Sequence, residues 1–344
     1  MAHSALETTT QTAPTTASLR FHVGSGDYKE LAAVSYEKEA ETKGGLGFNG
    51  AKYPHYLPTW NPEQKYPPLE PFEHVEHGRD ADTNFPNLLP DGAEVTHLTP
   101  SIGTEVRGIQ LSNLAADGKD ELARFVAEHK VVAIRNQDFA DLPLDKALEY
   151  GAYFGRHHIH PTSGSPEGFP EIHVVHRAAN DTFAEEFLSA RTSSVAWHSD
   201  VTYEQQPPGT TFLYILDKPS TGGDTLFANA VEAYNRLSPL LQERLHGLKA
   251  VHSGVEQTDA SVLTREIVGL KKEESDALLK FLYEHIAWGA DFHVRVKWEE
   301  GTVVVWDNRV TQHSALVDWK DGYRHHLARI TPQAEQPFET PFTA

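Results

Sequence analysis

The stretch VAWHSDVTY, residues 195–203, decides how this chain is read. It has the composition of a strand, and it puts His198 and Asp200 two positions apart. On a strand, side chains at i and i+2 share a face. The imidazole and the carboxylate therefore aim at one volume. They could form an acid–base pair, a structural hydrogen bond or two-thirds of a metal site.

The rest of the chain narrows these choices. Its 344 residues are enough for one large domain or two modest ones, and 39% hydrophobic and 10% aromatic content predicts a folded protein. The formal net charge of −19 argues against nucleic acid and against an anionic membrane surface, since both are polyanions. A small anionic substrate would need a local cluster of Arg or His. The absence of cysteine excludes disulfides, thiolate metal sites and a cysteine nucleophile. Residues 1–18 show no apolar signal-peptide core, and no apolar run approaches the roughly 20 residues of a membrane span, so a soluble cytoplasmic protein is expected.

Three segments are expected along the chain. Residues 1–18, rich in Thr and Ala, read as a disordered tail. Residues 19–94, with many Pro, Gly and aromatic residues, read as an extended arm packed on the body. Residues 95–344 read as the regular body. Strand signals dominate there (EIHVVH, GTTFLYIL, GDTLFAN, DFHVRVKW, GTVVVWDN), with helices such as GKDELARFVAEHK, NAVEAYNRLSPLLQERLHG and KKEESDALLKFLYEHIA between them. The class predicted is mainly β with flanking helices (α+β), built on a jelly-roll core. No G-x-G-x-x-G or P-loop is present to support a nucleotide-binding parallel fold.

A third ligand type occurs far downstream. The segment VVVWDNRVTQHSA, read as a strand, carries His313, 113 residues after Asp200. Two histidines and one carboxylate fit the facial triad of a non-haem Fe(II) oxygenase. Three protein ligands on one face leave three positions of an octahedron for a bidentate co-substrate and O₂. The bland alternative is a surface His–Asp hydrogen bond.

The surrounding residues carry a resemblance. WHSDVTYEQQPPGTTFLYILDKPSTGGDTLFAN (197–229), FGRHHIHP (154–161), SPEGFPEI (165–172), ANAVEAYNRLSP (228–239) and WDNRVTQHSA (306–315) together resemble the taurine/alkylsulfonate dioxygenases. The resemblance covers roughly residues 95–340, with residues 1–94 resembling the longer arm of fungal-type members. It implies a double-stranded β-helix using Fe(II), 2-oxoglutarate and O₂. It implies His198, Asp200 and His313 as iron ligands and Thr225 as a hydroxyl donor to 2-oxoglutarate. It implies His160, the backbone N–H of Val201 and Tyr203 at the substrate, with Trp197 and Trp306 as packing residues. Arg324 and Arg329 match the two arginines that grip 2-oxoglutarate and the substrate anion. Dimers or tetramers, common in the family, make a homo-oligomer the expectation by analogy.

The match departs from the family in two places. The arginines are five residues apart, where the family has four. Counting from His313 makes Arg324 the 2-oxoglutarate ligand; counting back from RITPQAEQPF puts His325 at that position and Arg329 at the substrate anion. Five apart means opposite faces of a flat strand, unless a bulge intervenes. The block VHSGVEQTDASVLTREIVGLKKEES (251–275), which helps wall the site in the family, is shortened, and FAEEFLSARTSS (183–194) is longer than in short bacterial members. Three readings are open: oxidation of a small sulfonate such as taurine with release of sulfite; the same cofactor chemistry on an amino acid or small carboxylate; or a β-helix protein that binds metal without turnover.

Overall fold

A computed structural model describes residues 50–59, 64, 66–67, 69–161, 163–179, 181–252, 266–319 and 323–342. The expected tail, residues 19–49, 60–63, 65 and 68 of the expected arm, and residues 253–265 of the shortened block lie outside the described residues.

Twelve strands are present among the described residues. The first four are β1 (Glu94–His97), β2 (Thr104–Arg107), β3 (Val131–Ile134) and β4 (Ile172–Arg177). Then come β5 (Thr210–Asp217), β6 (Thr225–Asn229), β7 (Ala250–Val251) and β8 (Glu266–Ile267). The last are β9 (His293–Val296), β10 (Val303–Asp307), β11 (Thr311–Ala315) and β12 (His325–Ile330). A seven-stranded sheet runs β1-β2-β3-β10-β5-β12-β4, and a three-stranded sheet runs β11-β6-β9. These two sheets face each other across a core that includes Val131, Leu213, Ile215, Phe227, Val294, Trp298, Val304, Trp306 and Leu327. This is the jelly-roll arrangement.

The sequence dictates which strands lie inside. Strands β3 (VVAI) and β10 (VVVWD) are buried at every position, which is why they read as unbroken apolar runs. β-Branched valines suit a pleated sheet packed on both faces. The second face of the large sheet is covered by α1 (Ala116–His129) and α2 (Leu144–Ala152). Helix α1 buries Leu122, Phe125 and Val126, at the three- and four-residue spacing that makes one stripe. At the sheet edge, β4 alternates, with Ile172, Val174 and His176 on its buried face.

Two expectations about elements are corrected. The single helical stretch 229–247 is two helices, α4 (Ala230–Asn235) and α5 (Pro239–Leu245), numbered after α3 (Phe183–Ala190). Asn229 and Ser238 cap their N-termini, and Pro239 starts the second helix where its missing N–H has no cost. The segment 303–315 is not one strand. It is β10 and β11, in different sheets, separated by a turn at Asn308–Val310. The last helix, α6 (Lys272–Ala287), has the expected pattern. Among the described residues no helix is long and apolar enough to cross a membrane.

The described residues between 50 and 93 contact the body. Tyr56 is fully buried, and its hydroxyl accepts a hydrogen bond from Tyr214 at 3.1 Å. Phe85 meets Phe125 of α1 edge-on, and Glu121 accepts from the backbone N–H groups of Asn87 and Leu88 at 2.8 and 2.7 Å. Lower down, Arg309 ties three segments together. It donates to Asp307 beside it, to Glu76 at 2.5 Å and to Glu335 at 3.1 Å.

The His74 imidazole, with partial burial opposing it and Arg309 assisting, holds the Glu76 carboxyl down at about 2 from an ordinary 4.5. A depressed folded-state value stabilises the fold above pH 4.5, and that stability is lost as pH falls toward 2. Urea denaturation of wild type and Glu76→Gln should therefore give a stability gap that is constant from about pH 5 to 7. The gap should shrink steadily below pH 4.5. A gap that does not change with pH would show that the Glu76 charge contributes nothing.

Candidate active site

Strand β11 presents His313 inward, between Phe227 and Trp306, whose ring centroids lie 5.8 and 5.2 Å away. The sequence pattern predicts a strand at 195–203, and only His198 pairs as one. Its N–H donates to the His313 carbonyl at 3.0 Å, and the His313 N–H donates back at 2.7 Å. This single bridge adds a fourth, one-residue strand to the small sheet. Residues 200–204 then turn away, with Val201 at φ +56. The left-handed region is a marked departure for a buried β-branched residue and costs about 1–3 kcal/mol.

Asp200 stands at the start of this turn, with its carboxylate beside both imidazoles. His198 Nε2 and His313 Nε2 each lie 3.8 Å from Asp200 Oδ1. One ligand atom from each residue lies within 4.8 Å of the others. His198 Nδ1–H donates to the Ala196 carbonyl at 2.8 Å, which leaves the Nε2 lone pair directed at the shared volume. Burial, reinforced by His198, pushes the His313 imidazole down to about 3, so it is neutral at physiological pH. Burial pushes the Asp200 carboxyl up, but Arg329, His313 and His198 together hold it below the usual carboxylate range. Two imidazoles and a carboxylate facing one volume are the donor set of an Fe(II) facial triad, so these residues fit that metal.

Arg329 of β12 reaches the same volume. Its Nη1 donates to Asp200 Oδ2 at 2.6 Å and its Nη2 contacts His173 Nδ1, while its Nε is buried without a partner among the described residues. His160 lies beside His173, with ring centroids 4.5 Å apart, and burial pushes its imidazole down to about 3. Tyr203 borders His158 at 6.4 Å and its buried hydroxyl has no partner among the described residues. Thr225 starts β6 on the Phe227 side, facing inward. Its Oγ1 accepts from Trp298 at 3.3 Å, which leaves its O–H free to donate. Trp197 stacks on His293 and Trp306 is fully buried, as packing residues.

The expectation for Arg324 is corrected. Strand β12 pairs regularly with β4 from His325 to Ile330, so alternation holds along it. The register does slip, but against β5, where Leu216 is left between Asp217 and Ile215. Arg324 thus lies on the face opposite Arg329. It is buried against His176, and His176 stacks edge-on with His326, whose Nε2 contacts the Tyr56 carbonyl. On the triad side, the residue four before Arg329 is His325.

Three residues of the site are not found by reading the sequence. His173 alternates inward on β4 directly opposite Arg329, and His158 lies 3.5 Å from Glu204. Asn308 brackets the backbone of Asp200: its Oδ1 accepts from the Asp200 N–H at 2.9 Å and its Nδ2 donates to the Asp200 carbonyl at 3.0 Å. Its signal in the sequence is the WDN run that leads into β11. Asn308→Ala would leave two buried backbone groups unpaired, at about 1–3 kcal/mol. It should also weaken Fe(II) binding roughly 10–100-fold, as loss of a supporting group around a metal does. Anaerobic Fe(II) titration with a thermal melt checks both, and unchanged metal affinity would remove Asn308 from the site.

Comparison with known proteins agrees with this geometry. The family described as "Taurine catabolism dioxygenase TauD, TfdA family" matches residues 94–260 and 256–331. An "Alpha-ketoglutarate-dependent sulfonate dioxygenase" of Saccharomyces cerevisiae is 43% identical over 330 residues, covering 84% of this chain and 79% of its own. The "Alpha-ketoglutarate-dependent dioxygenase cnsM" of Penicillium expansum is 40% identical over 327 residues, covering 84% and 91%. A crystal structure of a taurine dioxygenase from Burkholderia xenovorans superposes with a TM-score of 0.59 at 27% identity, covering 71% of this chain and 91% of that one. The chain therefore belongs to the TauD/TfdA family of Fe(II)- and 2-oxoglutarate-dependent dioxygenases.

Proposed function

We propose that the chain oxidises a C–H bond of a small sulfonate, with succinate, CO₂ and sulfite as products. The observation that carries this reading is the convergence of partnerless donors on the triad. Arg329 Nε, the Tyr203 hydroxyl and His158 Nδ1 are buried without hydrogen-bond partners among the described residues. In a protein with a net charge of −19, a buried cation with spare donors beside a metal triad is an anion subsite. The yeast relative is named for sulfonates.

In this reading His198, Asp200 and His313 hold the iron. Bound iron, with 2-oxoglutarate and O₂, supplies the oxidising power for C–H cleavage. The protein's own residues do the positioning. Arg329 keeps donors on Asp200 and His173 and offers its Nε–H to the substrate anion. His160, Tyr203 and the Val201 backbone line the rest of that subsite, and Thr225 donates its hydroxyl to the co-substrate. Neutral His160 can donate or accept without adding charge. A fixed anion presents one particular C–H bond to the metal, which is where positioning contributes to rate.

A second reading keeps the iron and 2-oxoglutarate and changes the substrate to an amino acid or small carboxylate. The name of the Penicillium relative specifies no sulfonate, and a guanidinium matches a carboxylate as well as it does a sulfonate. The deciding assay tracks succinate and sulfite, with and without O₂, across small sulfonates, sulfate esters and amino acids. O₂-dependent succinate matched by sulfite is expected with a sulfonate. Succinate coupled only to an amino acid would replace the first reading with the second. His198→Ala should abolish Fe(II) binding and succinate formation together.

A further inference from the structure

The co-substrate has two ends. Its keto acid end is matched by the metal. Its other end is a carboxylate, and a carboxylate taken out of water needs a cation or strong donors. Arg324 cannot supply the charge, because it faces the other side of the sheet against His176. Arg329 is engaged by Asp200 and His173. His325 faces the right way, but burial pushes its imidazole down to about 4, so it is neutral at physiological pH.

The register supplies another cation. Arg177, the last residue of β4, stands directly across the ladder from His325, so the two share the triad-side face. The Arg329–His173 pair lies four residues along the same ladder, roughly 13 Å away. An arginine side chain plus a five-carbon dicarboxylate spans that gap. The Arg177 guanidinium carbon lies over the ring of Phe183 of α3, 3.7 Å from its centroid. Its only hydrogen bond among the described residues is a long one, 3.4 Å, to the His176 carbonyl. Among the described residues no carboxylate pairs with it. His325 is itself sandwiched between Trp319, at 4.7 Å, and Gly223, two residues before Thr225. A Cβ on Gly223 would stand 2.8 Å from His325 Nε2, so the GGDT turn packs tightly against His325.

We propose that Arg177 holds the far carboxylate of 2-oxoglutarate, a role moved from the last strand to the neighbouring edge strand. Phe183 orients the guanidinium, and Thr225 and His325 complete the subsite. The proposal rests on the 2-oxoglutarate reading of the site.

The test measures binding rather than turnover. Fe(II)-loaded protein is titrated without O₂, by calorimetry, with 2-oxoglutarate and with 2-oxobutyrate, which lacks the far carboxylate. Wild type should prefer 2-oxoglutarate. Arg177→Met should lose about 100-fold in 2-oxoglutarate affinity and keep its affinity for 2-oxobutyrate. Arg177→Lys should recover part of the preference, and adding His325→Arg to Arg177→Met should restore most of it. Arg324→Met should leave the preference intact. The proposal is overturned if Arg177→Met keeps the preference, if it weakens both acids equally, or if Arg324→Met abolishes the preference. Wild type that binds Fe(II) but neither acid would overturn the 2-oxoglutarate reading itself, an outcome distinct from those.

Discussion

A carboxylate buried to 1% exposure has to be compensated, and the site is organised around that requirement at Asp200. One oxygen takes the Arg329 guanidinium, the other faces two imidazole nitrogens, and Asn308 holds the backbone on both sides. Each compensating group comes from a different element: β12, the His198 bridge, β11 and the turn after β10. The two sheets must therefore be closed on each other before the carboxylate is satisfied. Fold and site are in this sense one structure, since opening the sheets would leave an unpaired charge behind.

The same logic explains the layering. One face of the large sheet packs on helices and the arm through apolar side chains; the other faces the small sheet across a core that becomes polar toward β4 and β12. Polar groups gather where β4 and β12 meet. On the triad side these are His173, Arg177, His325 and Arg329; on the helix side, His176, Arg324 and His326. Strand alternation alone sorts seven neighbouring basic or imidazole side chains into two separate environments.

Much of this was legible in the sequence. Apolar runs gave β3 and β10, and alternation gave β4. The H-x-D pair with His313 gave the triad, because metal chemistry restricts which residue types can occur together. What was not legible is the route by which these groups meet. The strand reading of 195–203 aimed His198 and Asp200 at one volume, where they are, but only His198 pairs as a strand and the chain turns from Asp200 onward. Arg324 was ambiguous because spacing says nothing of register. Only the regular pairing of β12 with β4 decides its face. Arg177 and His173 could not be found by counting from His313, since they approach from an edge strand more than a hundred residues earlier.

Val201 carries a wider consequence. A glycine would adopt its left-handed backbone without strain, and would fold more cheaply at that position. A buried valine there behaves like a detent in a mechanism. Once seated, with its side chain 2% exposed and its neighbour's backbone pinned by Asn308, it has few other places to go. The carboxylate beside it inherits that stiffness. The aim of the carboxylate is thus set by the polypeptide around it.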